Sequence, residues 1–321
     1  MRYSPGEAKE KLNSNRYNMV IPMYSFLDEN NRFDVPTFQR SLDVLINSSP
    51  ENRFPFIAGT CGGAHKLDII DIYCNLESLH IDPAALKIIG VPGAKPANVI
   101  ANIEMARDHA DIVVIPFPGY GKPEEKYSVE EQVGFFKDIV KGTEVPIPMM
   151  MYIIDSIGSH GDPVAVKQII DLDDRLFAMK CTGDDIEDEI RISAIVKSRD
   201  KIYLEGKEDH MARIAAEYGV YDFVCAVANV LPGLASQMYE AISTEAQDSG
   251  ELTTLFNKAV KVMYGPDQRI FPAIVSFGVR AYDAKEVYYP GDTALDEKRE
   301  REVWDFINEN KRFLPDGVSI D

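Results

Sequence analysis

Residues 147–182 read IPMMMYIIDSIGSHGDPVAVKQIIDLDDRLFAMKCT. Two apolar runs, Ile147–Ile153 and Leu176–Thr182, flank a segment in which Val166, Ile169 and Ile170 recur at helical spacing. Neither run alternates apolar with polar residues, as a strand with one wet face would. Near-continuous apolar runs suit parallel strands covered on both faces, and a helix between two of them is the crossover that parallel pairing requires.

The same unit recurs on both sides. Met19–Tyr24, Phe54–Thr60, Lys87–Val91 and Asp111–Phe117 precede this stretch, and Ile202–Gly206 and Asp222–Ala228 follow it, giving eight candidate strands. Between them, Val129, Val133, Phe136, Ile139 and Val140 form one helical stripe. Phe38, Leu42 and Leu45 form another, behind an Asp34 cap with a proline two residues on. Eight strands alternating with helices predict an α/β fold, a closed (β/α)8 TIM barrel. No GxGxxG follows the first strand, which disfavours a dinucleotide-binding sheet. Helices are predicted roughly over Pro232–Gln247, Leu252–Tyr264, Ala273–Asp283 and Leu295–Asn310. The expected organisation is an N-terminal extension (1–18), a barrel (19–231) and C-terminal helices (232–321) packed on it as a single structural unit.

At 321 residues the chain is long enough for one such barrel. A net charge of −18 argues against nucleic acid or an anionic membrane as partner, since both need a basic footprint. Cys61, Cys74, Cys181 and Cys225 are scattered without a CxxC pair, so neither a disulfide framework nor a zinc knuckle is indicated. The first residues lack the apolar core of a secretory signal, and no apolar run approaches membrane-spanning length. A cytoplasmic protein is expected.

In this architecture chemistry sits at the carboxyl ends of the strands. That rule selects Ser25, Thr60, Cys61, Tyr120, Tyr152, Lys180, Thr182, Glu208 and Asp209. Lys180 stands inside the apolar run Leu-Phe-Ala-Met-Lys-Cys-Thr. Lysine is rarely buried without a partner, and burial disfavours the charged form of an amine. A neutral amine attacks carbonyls to form a Schiff base; the structural alternative is a lysine paired with a carboxylate. Tyr152 ends the preceding strand, where its phenol could move protons or serve as a core hydroxyl. Gly59-Thr60-Cys61-Gly62-Gly63 is a glycine-rich turn able to present backbone N–H groups to a carboxylate.

Together these motifs resemble the dihydrodipicolinate synthase / N-acetylneuraminate lyase family of pyruvate-dependent class I aldolases, over roughly residues 18–312. Gly59-Thr60-Cys61-Gly62 is similar to the family's carboxylate-holding Gly-Thr-Thr-Gly turn. Phe117-Pro118-Gly119-Tyr120-Gly121-Lys122-Pro123 resembles its Thr-Pro-Tyr-Tyr-Asn-Lys-Pro loop. Tyr152 falls on the proton-relaying tyrosine, and Met179-Lys180-Cys181-Thr182-Gly183-Asp184 on the segment with the Schiff-base lysine. Ala226-Val227-Ala228-Asn229-Val230-Leu231-Pro232 is similar to the family's Val-Thr-Ala-Asn-Val-x-Pro.

The resemblance implies a lyase in which Lys180 forms an imine with pyruvate or a longer 2-keto acid. It implies Tyr152, Thr60 and Tyr120 as a proton relay, and Gly59, Cys61, Thr182, Glu208, Val224 and Ala226 as substrate contacts. It implies a covalent lysine imine in place of any cofactor or metal, an aldehyde or sugar acid as second substrate, and a homotetramer built from dimers. The chain also departs from the pattern. Ile153-Ile154-Asp155-Ser156-Ile157 replaces Asn-Val-Pro-Gly-Arg, so the arginine that grips the synthase's second substrate is missing. Cys61 replaces a threonine, and Gly63 an acidic residue. A true dihydrodipicolinate synthase is therefore not expected. Two other readings stand beside this one. His65, His160, His210 and Asp155 follow strand ends and could serve a metal-dependent hydrolase or class II aldolase. A barrel without catalysis could serve in binding.

Overall fold

The two apolar runs quoted above are strands, β5 (Met149–Ile154) and β6 (Leu176–Thr182), and the segment between them carries the helix Pro163–Ile169. In the computed structural model they pair in parallel, with Tyr152 opposite Lys180 and Ile154 opposite Thr182. The structure describes residues 3–13, 19–47, 56–58 (backbone only), 75, 78–82, 85–244, 246, 249–266, 269–288, 293–315 and 317–320. The other strands are β1 (Met19–Pro22), β2 (Phe56–Ala58), β3 (Lys87–Gly90), β4 (Ile112–Pro116), β7 (Ile202–Glu205) and β8 (Phe223–Val224). They follow one another in sequence order in a closed barrel, so the expected (β/α)8 fold is the one observed.

The eighth strand is shorter than its apolar run suggests. Asp222–Ala228 reads as one strand, yet the chain leaves extended geometry at Ala226 and turns through a 3-10 segment, Val227–Asn229. The Asn229 side chain causes the turn. Its amide donates to the carbonyls of Pro22 and Ala226, and its Oδ1 accepts from the backbone of Tyr24. A carboxamide that satisfies three backbone groups competes with a strand ladder.

The chain forms two compact units, residues 1–18 with 86–224, and residues 19–85 with 225–321. The first holds β3 to β8 with helices α1 (Pro5–Asn13), α3 (Pro96–Ala106), α4 (Val129–Gly142), α5 (Pro163–Ile169), α6 (Ile186–Lys197) and α7 (Met211–Tyr218). Local signals set the helix starts. Ser128 and Glu131 form a capping box, and Asp162 and Asp185 accept from the first turns of α5 and α6. The second unit holds β1, β2, α2 (Val35–Leu42), α8 (Pro232–Ser243), α9 (Ser249–Tyr264), α10 (Phe271–Ala281) and α11 (Glu297–Glu309). There Trp304 stacks on Phe277, and its indole N–H donates to Ser276. Among the described residues no helix is long and apolar enough to cross a membrane.

Candidate active site

Side chains alternate across a strand, and residues opposite one another in neighbouring strands share a face. Cys181 of β6 and Ile153 of β5 line a cavity of about 370 Å3 together with Glu189 and Ile192 of α6. These two strand residues therefore face the helix layer. Lys180 and Tyr152, one position earlier on each strand, face the barrel interior, and Thr182 shares that face. The cavity thus lies behind the wall that carries Lys180, on the opposite face from its side chain.

Lys180 is only 3% exposed and Tyr152 1%. The Lys180 ammonium nitrogen stands 3.8 Å from the centre of the Tyr152 ring. The negative face of an aromatic ring stabilises a cation placed over it, so the same contact favours either an ammonium or a protonated imine on Nζ. The Tyr152 end of β5 is held on its backbone. Its carbonyl accepts from Phe117 N–H, and the buried Ser159 hydroxyl lies 3.1 Å from the carbonyls of both Tyr152 and Phe117. Nothing in the sequence marked Ser159, because its role depends on a loop folding back over two strand ends.

Thr182 Oγ1 is buried without a hydrogen-bond partner. Gly206, just past β7, packs against it. A β-carbon there would overlap the Thr182 hydroxyl and sit 3.3 Å from Lys180 Cε. Only glycine leaves room for both side chains. Gly206 is a second site residue that the sequence reading passed over. A glycine after a strand with no repeated motif around it carries little signal.

The remaining expected residues divide by position. Tyr120 is half-buried on the loop after β4. That loop rests on the next one, where Gly119 and Gly158 both have positive φ and abut so closely that a side chain on either would clash with backbone. Glu208 is buried, whereas Asp209 beside it is exposed. Val224 is buried at the end of β8, and Ala226 begins the 3-10 turn in the other unit. Gly59, Thr60 and Cys61 lie outside the described residues, as do His65 and Cys74.

The metal-dependent reading relied on histidines after strand ends. His160 Nδ1 lies 2.7 Å from Asp155, and His210 Nδ1 2.7 Å from Glu189, so each is engaged with a different carboxylate. Among the described residues no three histidine, cysteine or acidic side chains converge on a metal position.

The chain's sequence matches the model of the Dihydrodipicolinate synthetase family over residues 18–285. No curated protein sequence matches it significantly. Solved structures share its fold at low identity. One is YagE, a prophage protein of the dihydrodipicolinic acid synthase family from E. coli K12, solved with pyruvate. It has a TM-score of 0.79 and 19% identity, covering 91% of this chain and 98% of that one. Dihydrodipicolinate synthase from Thermotoga maritima gives a TM-score of 0.77 at 16% identity, covering 91% and 98%. A variant of 2-keto-3-deoxygluconate aldolase from Sulfolobus solfataricus gives 0.75 at 16%, covering 92% and 96%.

Proposed function

We propose, from the premise that this chain belongs to the dihydrodipicolinate synthetase family, that it is a class I lyase whose Lys180 forms an imine with pyruvate or a longer 2-keto acid. The observation that carries the reading is the buried Lys180 amine over the Tyr152 ring at the carboxyl ends of two adjacent strands. The pyruvate bound in YagE supports the substrate class.

In this reading the Lys180 amine adds to the keto carbon of the acid. The carbinolamine loses water to give a protonated imine, which accepts the electron pair released when a bond at the adjacent carbon breaks. If a carbon–carbon bond breaks, an aldehyde departs and an enamine remains. Condensation runs the same steps in reverse, and loss of water is the third outcome open to the same imine. Tyr152 gives and takes the protons, with Thr60 and Tyr120 as its relay. Gly59 and Cys61 receive the carboxylate of the keto acid. Thr182, Glu208, Val224 and Ala226 meet the rest of the substrate. Thr182 Oγ1, buried and unpartnered, supports this by offering a hydroxyl to a ligand. Ile153 faces the helix layer, but Ile154 and Ile157 stand where the synthase has a polar segment, so the second substrate is an aldehyde or sugar acid of a different kind. A cytoplasmic homotetramer goes with this reading.

The test is to incubate the protein with pyruvate and borohydride and measure intact mass. A stable adduct that maps to Lys180 and is absent from Lys180→Ala is the expected result. No adduct with pyruvate or any other 2-keto acid refutes the proposal.

A further inference from the structure

Behind Lys180, on the helix side of β6 and β7, lies a set of buried ionisable groups that the imine chemistry does not use. Cys181 sits opposite Glu205 in the strand register. Glu205 is fully buried, Glu189 of α6 is 1% exposed, and Tyr203 of β7 is 2% exposed. Two carboxyl groups enclosed together in protein are costly unless each is satisfied and one stays neutral.

The structure satisfies them through the backbone of the active-site wall. Glu189 Oε1 accepts from the Gly183 N–H at 2.8 Å, and its Oε2 lies 2.7 Å from His210 Nδ1, the residue that opens α7. Glu205 accepts from the Lys207 N–H at 2.6 Å and from the Tyr203 hydroxyl at 3.1 Å. Gly183 is the exit of the strand that carries Lys180, and Lys207 belongs to the turn containing Gly206. That turn is bound to β6, since the Gly206 N–H donates to the Cys181 carbonyl at 2.6 Å. Gly206 in turn lies against Lys180 Cε and Thr182 Oγ1. A shift of the Gly206 turn therefore reaches the methylene next to the reacting nitrogen, and a shift at Gly183 reaches its chain neighbour Thr182, against which Gly206 lies.

We propose that Glu189, Glu205 and His210 are positioning residues that hold the attack geometry of Lys180 from behind the barrel wall. The inference rests on Lys180 being the imine-forming residue. Burial, followed by the negative charge of Glu189, holds the Glu205 carboxyl well above the usual carboxylate range. The hydrogen bond with Glu189 raises His210 above its ordinary value against the opposing effect of burial. Asp209 and Lys207 are the other charged groups facing that histidine. Burial also holds the Tyr203 phenol and the Cys181 thiol in their neutral forms.

Their different partners make the two carboxyl groups behave differently on substitution. Glu205→Gln keeps the shape of the side chain and an oxygen able to accept from the Lys207 N–H. Glu189→Gln replaces one of the two oxygens that hold Gly183 and His210 with an amide nitrogen. Glu205→Ala leaves the Lys207 N–H and the Tyr203 hydroxyl without an acceptor. The experiment measures reductive trapping of pyruvate on Lys180 in the full-length variants, normalised to folded protein. Misplacing a reacting group by about an ångström costs up to roughly a hundredfold, so Glu189→Gln and Glu205→Ala should lower the maximal trapping rate about tenfold or more. Their apparent KM for pyruvate should stay within about twofold, and Glu205→Gln should stay within about twofold of wild type on both quantities. Folded Glu189→Gln with an unchanged maximal rate overturns the proposal. If that variant does not fold, equal rates in Glu205→Ala and Glu205→Gln overturn it. A wild-type protein that traps no pyruvate fails in a different place, at the Schiff-base reading, and removes both.

Discussion

The two ends of the β5–β6–β7 wall are built on opposite rules. At the amino end, Arg175 gives its guanidinium to the carbonyls of Val140, Thr143 and Val145 and to the Asp173 carboxylate. Lys201 beside it donates to the carbonyls of Ile170 and Leu176. These cations are fully committed to closing helix and loop ends. At the carboxyl end, Lys180 stands over an aromatic face and Thr182 keeps a buried hydroxyl unsatisfied. Burying a polar group without a partner costs stability. Among the described residues of the wall, that cost falls at its carboxyl end. The amino end is arranged for the folded state itself; in the reading proposed above the carboxyl end is arranged for a ligand.

The largest expected effect separates the ends outright. Lys180→Ala should abolish the borohydride-trapped adduct, whereas Arg175→Ala should leave it intact in the protein that remains folded. An adduct surviving in Lys180→Ala breaks the comparison. Tyr152→Phe comes next. Loss of a general acid–base group costs about 10²–10⁴-fold, so the trapping rate should fall by that order. A rate within about threefold of wild type would assign the ring contact to structure rather than to proton transfer.

For Arg175→Ala the expected cost is in stability. Several carbonyls and a carboxylate lose a charged donor at once, and about 2–4 kcal/mol is a reasonable order for the loss, read as a lower denaturation midpoint. Acid should expose the same device. Burial raises the Asp173 pKa, but its hydrogen bonds with Arg175 more than offset this and hold it below its ordinary value. Its contribution is present above the unfolded carboxylate pKa and is lost as pH falls through the depressed folded value. In Arg175→Ala the acid side of the stability curve should flatten.

His210 sharpens the comparison in the opposite direction. Its pKa is raised in the folded protein by Glu189. The stability it supplies is complete below the unfolded histidine value and declines as pH rises through the higher folded one. His210→Gln should remove that alkaline decline in thermal melts, and an unchanged profile would place the histidine outside the network. The smallest effect expected is that of Thr182→Val. Replacing an unsatisfied hydroxyl by an isosteric methyl should leave stability unchanged or raise it by about 1 kcal/mol, while weakening the apparent affinity for keto acid. A clear loss of stability would show that the hydroxyl has a partner in the folded protein.

The legibility of the site follows the range of the interactions that make it. Lys180 and Tyr152 were readable because each breaks an apolar strand run with a polar atom, and strand ends are neighbours in a barrel. Ser159 and Gly206 were not, since one matters for the carbonyls it reaches and the other for a side chain it lacks. Glu208 and Asp209 are adjacent acids in one turn, yet one is buried and the other exposed. No local pattern separates them.

By itself the sequence determined the order of strands and helices, because hydrophobic periodicity and helix caps act within a few residues and are written in the chain. It also determined which residue could be the nucleophile, because an amine inside an apolar strand has few explanations. Only the tertiary structure decided what surrounds that amine. Glu189 and His210 lie 21 positions apart and on different helices, and they meet because parallel crossovers return each helix to the same sheet face. The face of β6 that carries Lys180 and the face that carries Cys181 differ by one residue in sequence. Strand pleating and the packing of α6 behind the strand turn one of them to the barrel interior and the other to the helix layer.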